Sequence, residues 1–159
     1  MKDRNATIEE ARYLKSIYKT EDAIELLSGL ISPGQMDEEV QNELADCYIQ
    51  AGDLDAAAST YSTLLMMKPE SILYRIKLML TTYRSKDYKS SSELGLSIIK
   101  RDTIPAIVSL TADSFNMMAM PDSALIYYNM YIGMNPANPS VVSKAAKIHL
   151  EREEYVKVL

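Results

Sequence analysis

Apolar residues recur at three- and four-residue spacings on both sides of a short polar turn near the middle of the chain. One set lies within 40–48 and the other within 54–65, which is the pattern of two amphipathic helices. Gly52 in the turn tolerates the left-handed conformation that ends a helix, and Asp53 can cap the next helix. Pro69 stops the second helix because it lacks an N–H group and clashes with the preceding turn. This stretch therefore predicts a hairpin of two antiparallel helices.

The small residue inside the second helix of this hairpin returns along the whole chain. Ala57 has Ala23 thirty-four residues before it, Ser91 thirty-four residues after it, and Ala124 thirty-three residues further on. The positions four residues later are occupied by Leu27, Tyr61, Gly95 and Tyr128. In the first helices, the small residues expected at the close helix approach are Ala11, Ala45, Ala112 and Ala146, with Met79 as the exception. A constant period of this length predicts a stack of helical hairpins.

The central hairpin resembles a tetratricopeptide repeat. Leu44-Ala45-x2-Tyr48, Ala57-x3-Tyr61 and Pro69 match the three blocks of that pattern, and Gln41 stands in place of its tryptophan. The resemblance implies an all-α fold, a right-handed superhelical solenoid of antiparallel helix-turn-helix repeats, also called an α-α superhelix. It implies one domain over 1–159, with repeats at about 4–37, 38–71, 72–104 and 105–138 and an incomplete repeat at 139–159. An irregular helical bundle or a related two-helix repeat is the structural alternative.

The end of the chain predicts one further helix from Ser140 to about Arg152. Its expected buried residues are Val141, Val142, Ala145, Ala146, Ile148 and His149. Tyr155, Val156 and Val158 are interpreted as the first turn of a partner helix. We therefore expect either a fragment of a longer repeat protein or an end that is covered by dimerisation. Thr20 is expected to cap the second helix of the chain.

Composition excludes several classes of protein. Apolar residues make up 47% and charged residues 25% of the 159 positions, which is typical of a soluble globular protein. The net charge of −5 argues against a nucleic-acid binder, and one cysteine excludes an internal disulfide framework. No apolar run approaches the roughly 20 residues of a membrane span. The location is expected to be cytoplasmic if Met1 is the native start, and periplasmic or exported if a signal peptide has been removed.

No catalytic pattern stands out in the sequence. It contains no Gly-rich phosphate loop, nucleophile elbow, paired-histidine zinc helix or calcium loop. Cys47 and His149 are interpreted as packing residues. We therefore expect no enzyme activity, no cofactor and no metal site.

The resemblance implies a concave groove lined by the first helix of each repeat. Carried onto this chain, the groove residues are Asn42, Asp46, Leu73, Ile76, Lys77, Leu80, Tyr83, Arg84, Leu110, Asp113 and Asn116. Some members of the family hold the C-terminal carboxylate of chaperones with basic and polar residues. Here Asp46, Leu73 and Leu80 occupy positions where such donors would be needed, which argues against a chaperone-tail adaptor.

The favoured function is a non-enzymatic scaffold that binds a peptide or protein segment in this groove. An apolar strip of Ile76, Leu80 and Tyr83 would anchor the segment, and Lys77 and Arg84 would flank it with positive charge. In the competing interpretation the strip is buried against adjacent repeats. The alternative function is a structural module that acts by self-association, as a homo-oligomer through the incomplete last repeat, or by docking to further domains.

Overall fold

The computed structural model describes residues 3–32 and 36–158, with side chains described as far as residue 152. These residues form nine α-helices and no β-strand, so the predicted all-α fold class is confirmed. The helices are α1 (Arg4–Ser16), α2 (Thr20–Ser28), α3 (Glu38–Ala51), α4 (Leu54–Met67), α5 (Ile72–Arg84), α6 (Tyr88–Ile99), α7 (Pro105–Met117), α8 (Pro121–Met134) and α9 (Pro139–Val158). The chain divides into two compact units, Met1–Ser85 and Lys86–Leu159. The single domain and its repeat bounds stay predictions.

Each unit is built from helices that pack against their neighbours in the chain. In the first unit, α1 to α5 pack in sequential pairs, and in the second unit α6 to α9 do the same. The core of the first hairpins is a buried cluster of Ile8, Ala11, Ala23, Leu27, Val40, Leu44 and Cys47. The core of the second unit is a buried cluster of Val108, Ala112, Ala124, Leu125, Tyr128, Tyr131, Val141, Ala145 and Ile148.

The repeat period predicted the innermost positions correctly except at Ala146, which is exposed. Ala23, Ala57, Ser91 and Ala124 are completely buried, as expected for residues at a close helix approach. Ala11, Ala45, Ala112 and the exceptional Met79 are buried as well. Small side chains at these positions let neighbouring helices approach closely enough to pack without voids.

Several helices begin with a capping side chain, and the predicted cap Asp53 is confirmed. The side chains of Asp37, Asp53 and Ser71 each accept hydrogen bonds from backbone N–H groups in the first turns of α3, α4 and α5. The prediction for Thr20 is wrong, because Thr20 is already the first residue of α2 and Lys19 precedes it without a capping bond. The hydroxyl of Thr20 is buried together with the rest of its side chain.

The last helix differs from its prediction in its length and in which of its side chains are buried. α9 runs without interruption to Val158, since no glycine, proline or capping residue separates Arg152 from Tyr155. The side chains of Tyr155, Val156 and Val158 lie outside the described residues. Val141, Ala145 and Ile148 are buried, whereas Val142, Ala146 and His149 are exposed, so the prediction is wrong for these last three. The described helices cover only one side of α9.

Four turns within the hairpins share one backbone feature. Tyr18, Gly52, Lys86 and Ala119 all have a positive φ, and they follow one another at 34, 34 and 33 residues. A left-handed residue at this point ends the first helix of a hairpin and lets the second begin. Only Gly52 adopts this conformation without steric cost, because it has no Cβ atom.

We expect Gly52→Ala to lower the free energy of unfolding by about 1 kcal/mol, measured by urea denaturation. Gly52 has a φ of 82°, and a Cβ built there meets no atom within 4 Å, so backbone strain alone sets the cost. Gly133 in α8 also has open space around its Cβ position and has no positive φ. Gly133→Ala should therefore stabilise the protein, by up to about 0.5–1 kcal/mol. If the two substitutions changed the free energy of unfolding equally, the left-handed conformation of Gly52 would not be what the turn requires.

Candidate functional site

Three consecutive helices of the first unit meet at a network around Asp46. The Tyr61 hydroxyl on α4 donates a hydrogen bond to Asp46 Oδ1 on α3. Lys77 Nζ on α5 donates to both Asp46 carboxylate oxygens, at 3.0 and 3.2 Å, and to Asn42 Oδ1 at 2.9 Å. The ammonium group also lies 5.4 Å from the centroid of the Tyr61 ring, which is a cation–π distance. Burial and the bond to Asp46 raise the pKa of Tyr61, so its hydroxyl remains a donor.

The same network occurs again in the second unit. Asp113, Tyr128 and Lys144 each lie 67 residues, or two repeats, after Asp46, Tyr61 and Lys77. The Tyr128 hydroxyl donates to Asp113 Oδ1 at 2.6 Å, and Lys144 Nζ donates to the same carboxylate at 2.7 and 2.9 Å. Both networks join the first helix of one hairpin to the first helix of the next. Their charges are therefore already paired within the protein.

In the contact between α1 and α3 the charges are reversed: the basic residues lie on the earlier helix and the carboxylate lies on the later one. Arg12 Nε and Lys15 Nζ donate to the two carboxylate oxygens of Glu43, at 2.8 and 2.7 Å. Burial alone would raise the pKa of Glu43, but the hydrogen bonds from Lys15 and Arg12 outweigh it, and the pKa is lowered overall. Glu43 was absent from the predicted site. Glu43 lies thirty-four residues before Lys77, at the equivalent position of the repeat, but this position alone does not show which charges lie opposite it.

The predicted apolar strip lies on the surface of α5. Leu73 is 60% exposed and Leu80 is 45% exposed, while Ile76 and Tyr83 are half-buried. Arg84 at the end of the helix is exposed. The inward side of the same helix is formed by the buried Leu78 and Met79. An apolar surface of this kind, beside the Asp46–Lys77 pair, is the candidate site.

The structure brings together only part of the predicted set of groove residues. Lys77 on α5 contacts both Asn42 and Asp46 on α3, and the remaining α5 residues of the set lie on the same helix as Lys77. Leu110, Asp113 and Asn116 belong to α7 in the second unit, where Leu110 is half-buried and Asn116 is exposed. The site residues as a set therefore stay a prediction.

Three further features of the described residues bear on function. Among them, no group of three or more histidine, cysteine or acidic side chains is placed to hold a metal ion. Within the same part of the chain, no helix combines the length and the apolar character that crossing a membrane requires. Cys47 is buried, and burial raises the pKa of its thiol, so it is unreactive.

Comparison with known proteins agrees with this architecture. Residues 18–79 match the family model of the tetratricopeptide repeat. No curated protein matches the chain. Three solved structures similar in fold are all described as MamA. MamA AMB-1 has a TM-score of 0.79 at 15% identity, covering 97% of this chain and 85% of that one. MamA MSR-1 has a TM-score of 0.76 at 16% identity, with coverage of 98% and 88%.

The third is MamA from residue 41 to the end, from Desulfovibrio magneticus RS-1, with a TM-score of 0.80 at 10% identity, covering 96% of this chain and 87% of that one. At sequence identities this low, the structural similarity shows that the fold is shared and nothing more. The fold is the helical-repeat solenoid that the sequence pattern predicted. The family match thus confirms the resemblance of residues 18–79 to the tetratricopeptide repeat, and the described helices continue the same pattern of hairpins on either side of this stretch.

Proposed function

We propose that the chain is a non-enzymatic scaffold that binds a segment of a partner protein on the exposed face of α5. The observation that carries this proposal is the exposure of Leu73 and Leu80 on a helix whose other side is already buried. Exposed side chains of this size gain roughly 25 cal/mol for each Å² of apolar area removed from water. A partner that covers them would gain most of its affinity there.

The surroundings of the strip indicate the chemistry of the partner. Asp46 and Lys77 are paired with each other, so they contribute a polar border with little net charge. Arg84 lies exposed at the end of α5, where it can pair with a carboxylate of the bound segment. A fitting segment therefore has apolar anchors for Leu80 and Tyr83 and an acidic residue near one end.

Peptides selected by display against the wild-type chain would test the site. We expect Leu80→Ser combined with Tyr83→Ala to weaken their binding at least about tenfold in fluorescence anisotropy, which corresponds to about 1.4 kcal/mol. Met66→Ser is the matched control, because Met66 is also an exposed apolar residue but lies on α4. Circular dichroism should show unchanged helicity in both variants. Undiminished affinity of the double variant would place the binding surface elsewhere.

A further inference from the structure

An open cleft with an acidic rim lies between α1 and α2. Its volume is about 670 Å³, and its floor is apolar, formed by the half-buried Leu14, Leu26 and Leu30. Three exposed carboxylates line it, those of Glu10, Asp22 and Glu25. No basic residue is among the described residues that line the cleft. The cleft can therefore accept an apolar surface that carries positive charge.

In the next hairpin, the face of α3 that corresponds to the cleft side of α1 is covered by α2. Leu44 and Tyr48 lie thirty-four residues after Glu10 and Leu14. They pack in the cluster that contains Leu27 of α2. Because an α-helix covers the equivalent face of α3, an α-helix is the element that fits against the cleft side of α1.

The outward face of α9 has the matching character. Val142, Ala146 and Leu150 are exposed at four-residue spacing, so they form a strip along one side of the helix. Lys147 beside this strip is 77% exposed. Its ion pair with Glu151 is 3.7 Å long and joins two exposed groups, so exchanging it for another carboxylate costs little.

We propose that the exposed face of α9 in one copy of the protein docks into the α1–α2 cleft of a second copy. Leu150 and Val142 would cover the apolar floor, and Lys147 would meet the carboxylates of the rim. The two surfaces differ, so the contact is heterologous and each copy can bind one neighbour at each surface. This association uses neither Leu80 nor Tyr83, and it is independent of peptide binding on α5.

Sedimentation velocity of the full chain tests the contact through two complementary variants. The cleft variant is Asp22→Lys with Glu25→Lys, and the helix variant is Lys147→Glu with Leu150→Glu. Wild-type protein should gain mass from about 10 μM to about 1 mM, and lose it between about 50 mM and about 500 mM salt as charges are screened. Each variant alone should remain monomeric. Mixed one to one, they should form particles of two chains and no larger ones, since each supplies the surface that the other lacks.

The exposed α6 residues Lys89 and Glu93 offer controls whose charges change in the same directions as those of the two variants. Lys89→Glu and Glu93→Lys should each associate as the wild type does. A monomeric wild type at about 1 mM would overturn the proposal. Undiminished association of the cleft variant, or a mixture of the two variants that stays monomeric, would overturn it equally. Formation of the mixed dimer also shows that both variants are folded.

Discussion

Replacing Tyr128 with alanine should lower the free energy of unfolding by about 3–5 kcal/mol, as expected when a fully buried aromatic side chain is removed. Tyr128 is 0% exposed and lies in the core of the second unit. Its ring fills the space between α7, α8 and α9, and a cavity remains when it is deleted. Urea denaturation followed by circular dichroism measures the loss directly.

Tyr128→Phe separates the packing of the ring from the hydrogen bond of its hydroxyl. This variant keeps the ring and loses the bond donated to Asp113, whose carboxylate still accepts from Lys144. We expect a loss of about 1–2 kcal/mol, because the lost bond had a charged acceptor. If the two variants lost the same free energy of unfolding, the hydroxyl of Tyr128 rather than its ring would account for the stability that this side chain contributes.

Glu43→Gln should lower the free energy of unfolding by about 1–3 kcal/mol at neutral pH. Glu43 is only 8% exposed, and its carboxylate accepts hydrogen bonds from both Arg12 and Lys15. Glutamine keeps the shape of the side chain but removes the charge that compensates these two cations. Glu93→Gln, on the exposed side of α6, is the control and should leave stability nearly unchanged.

The effect of Glu43→Gln should depend on pH in one direction. The pKa of Glu43 is lowered from its ordinary value of 4.5, so the folded state binds the proton less tightly than the unfolded state. The stabilising contribution is therefore complete above about pH 5 and disappears as the pH falls through the lowered pKa. Thermal melts from pH 7 to about pH 3 should show the two proteins converging. A difference that stays constant over this range would mean that the charge of Glu43 does not contribute.

The sequence by itself determined the repeat and the positions at its centre. Ala57 and its counterparts are completely buried because every hairpin with this period requires a small residue where its helices meet. The turn at Gly52 and Asp53 could also be predicted from the sequence, because the residues that form it act locally. Gly52 and Asp53 act on the backbone of their own neighbours, so no distant part of the chain is needed to identify them.

The charge pairs were not visible in the sequence. Asp46 and Lys77 are separated by thirty-one residues, and they meet only because α3 and α5 lie side by side. A sequence pattern records which residues share a face of one helix, but it does not record which charge stands opposite on the next. Glu43 was missed for this reason.

Only the tertiary structure decided which apolar residues are covered. The apolar pattern of α9 is the same on both of its sides, yet Ala145 is buried and Ala146 is exposed. On α5, likewise, Met79 is buried while Leu80 is exposed. The apolar character of a side chain is a property of the residue, whereas its burial depends on whether another helix lies against it. Periodicity therefore predicts the helices and their spacing, and packing selects the faces that stay accessible to a partner.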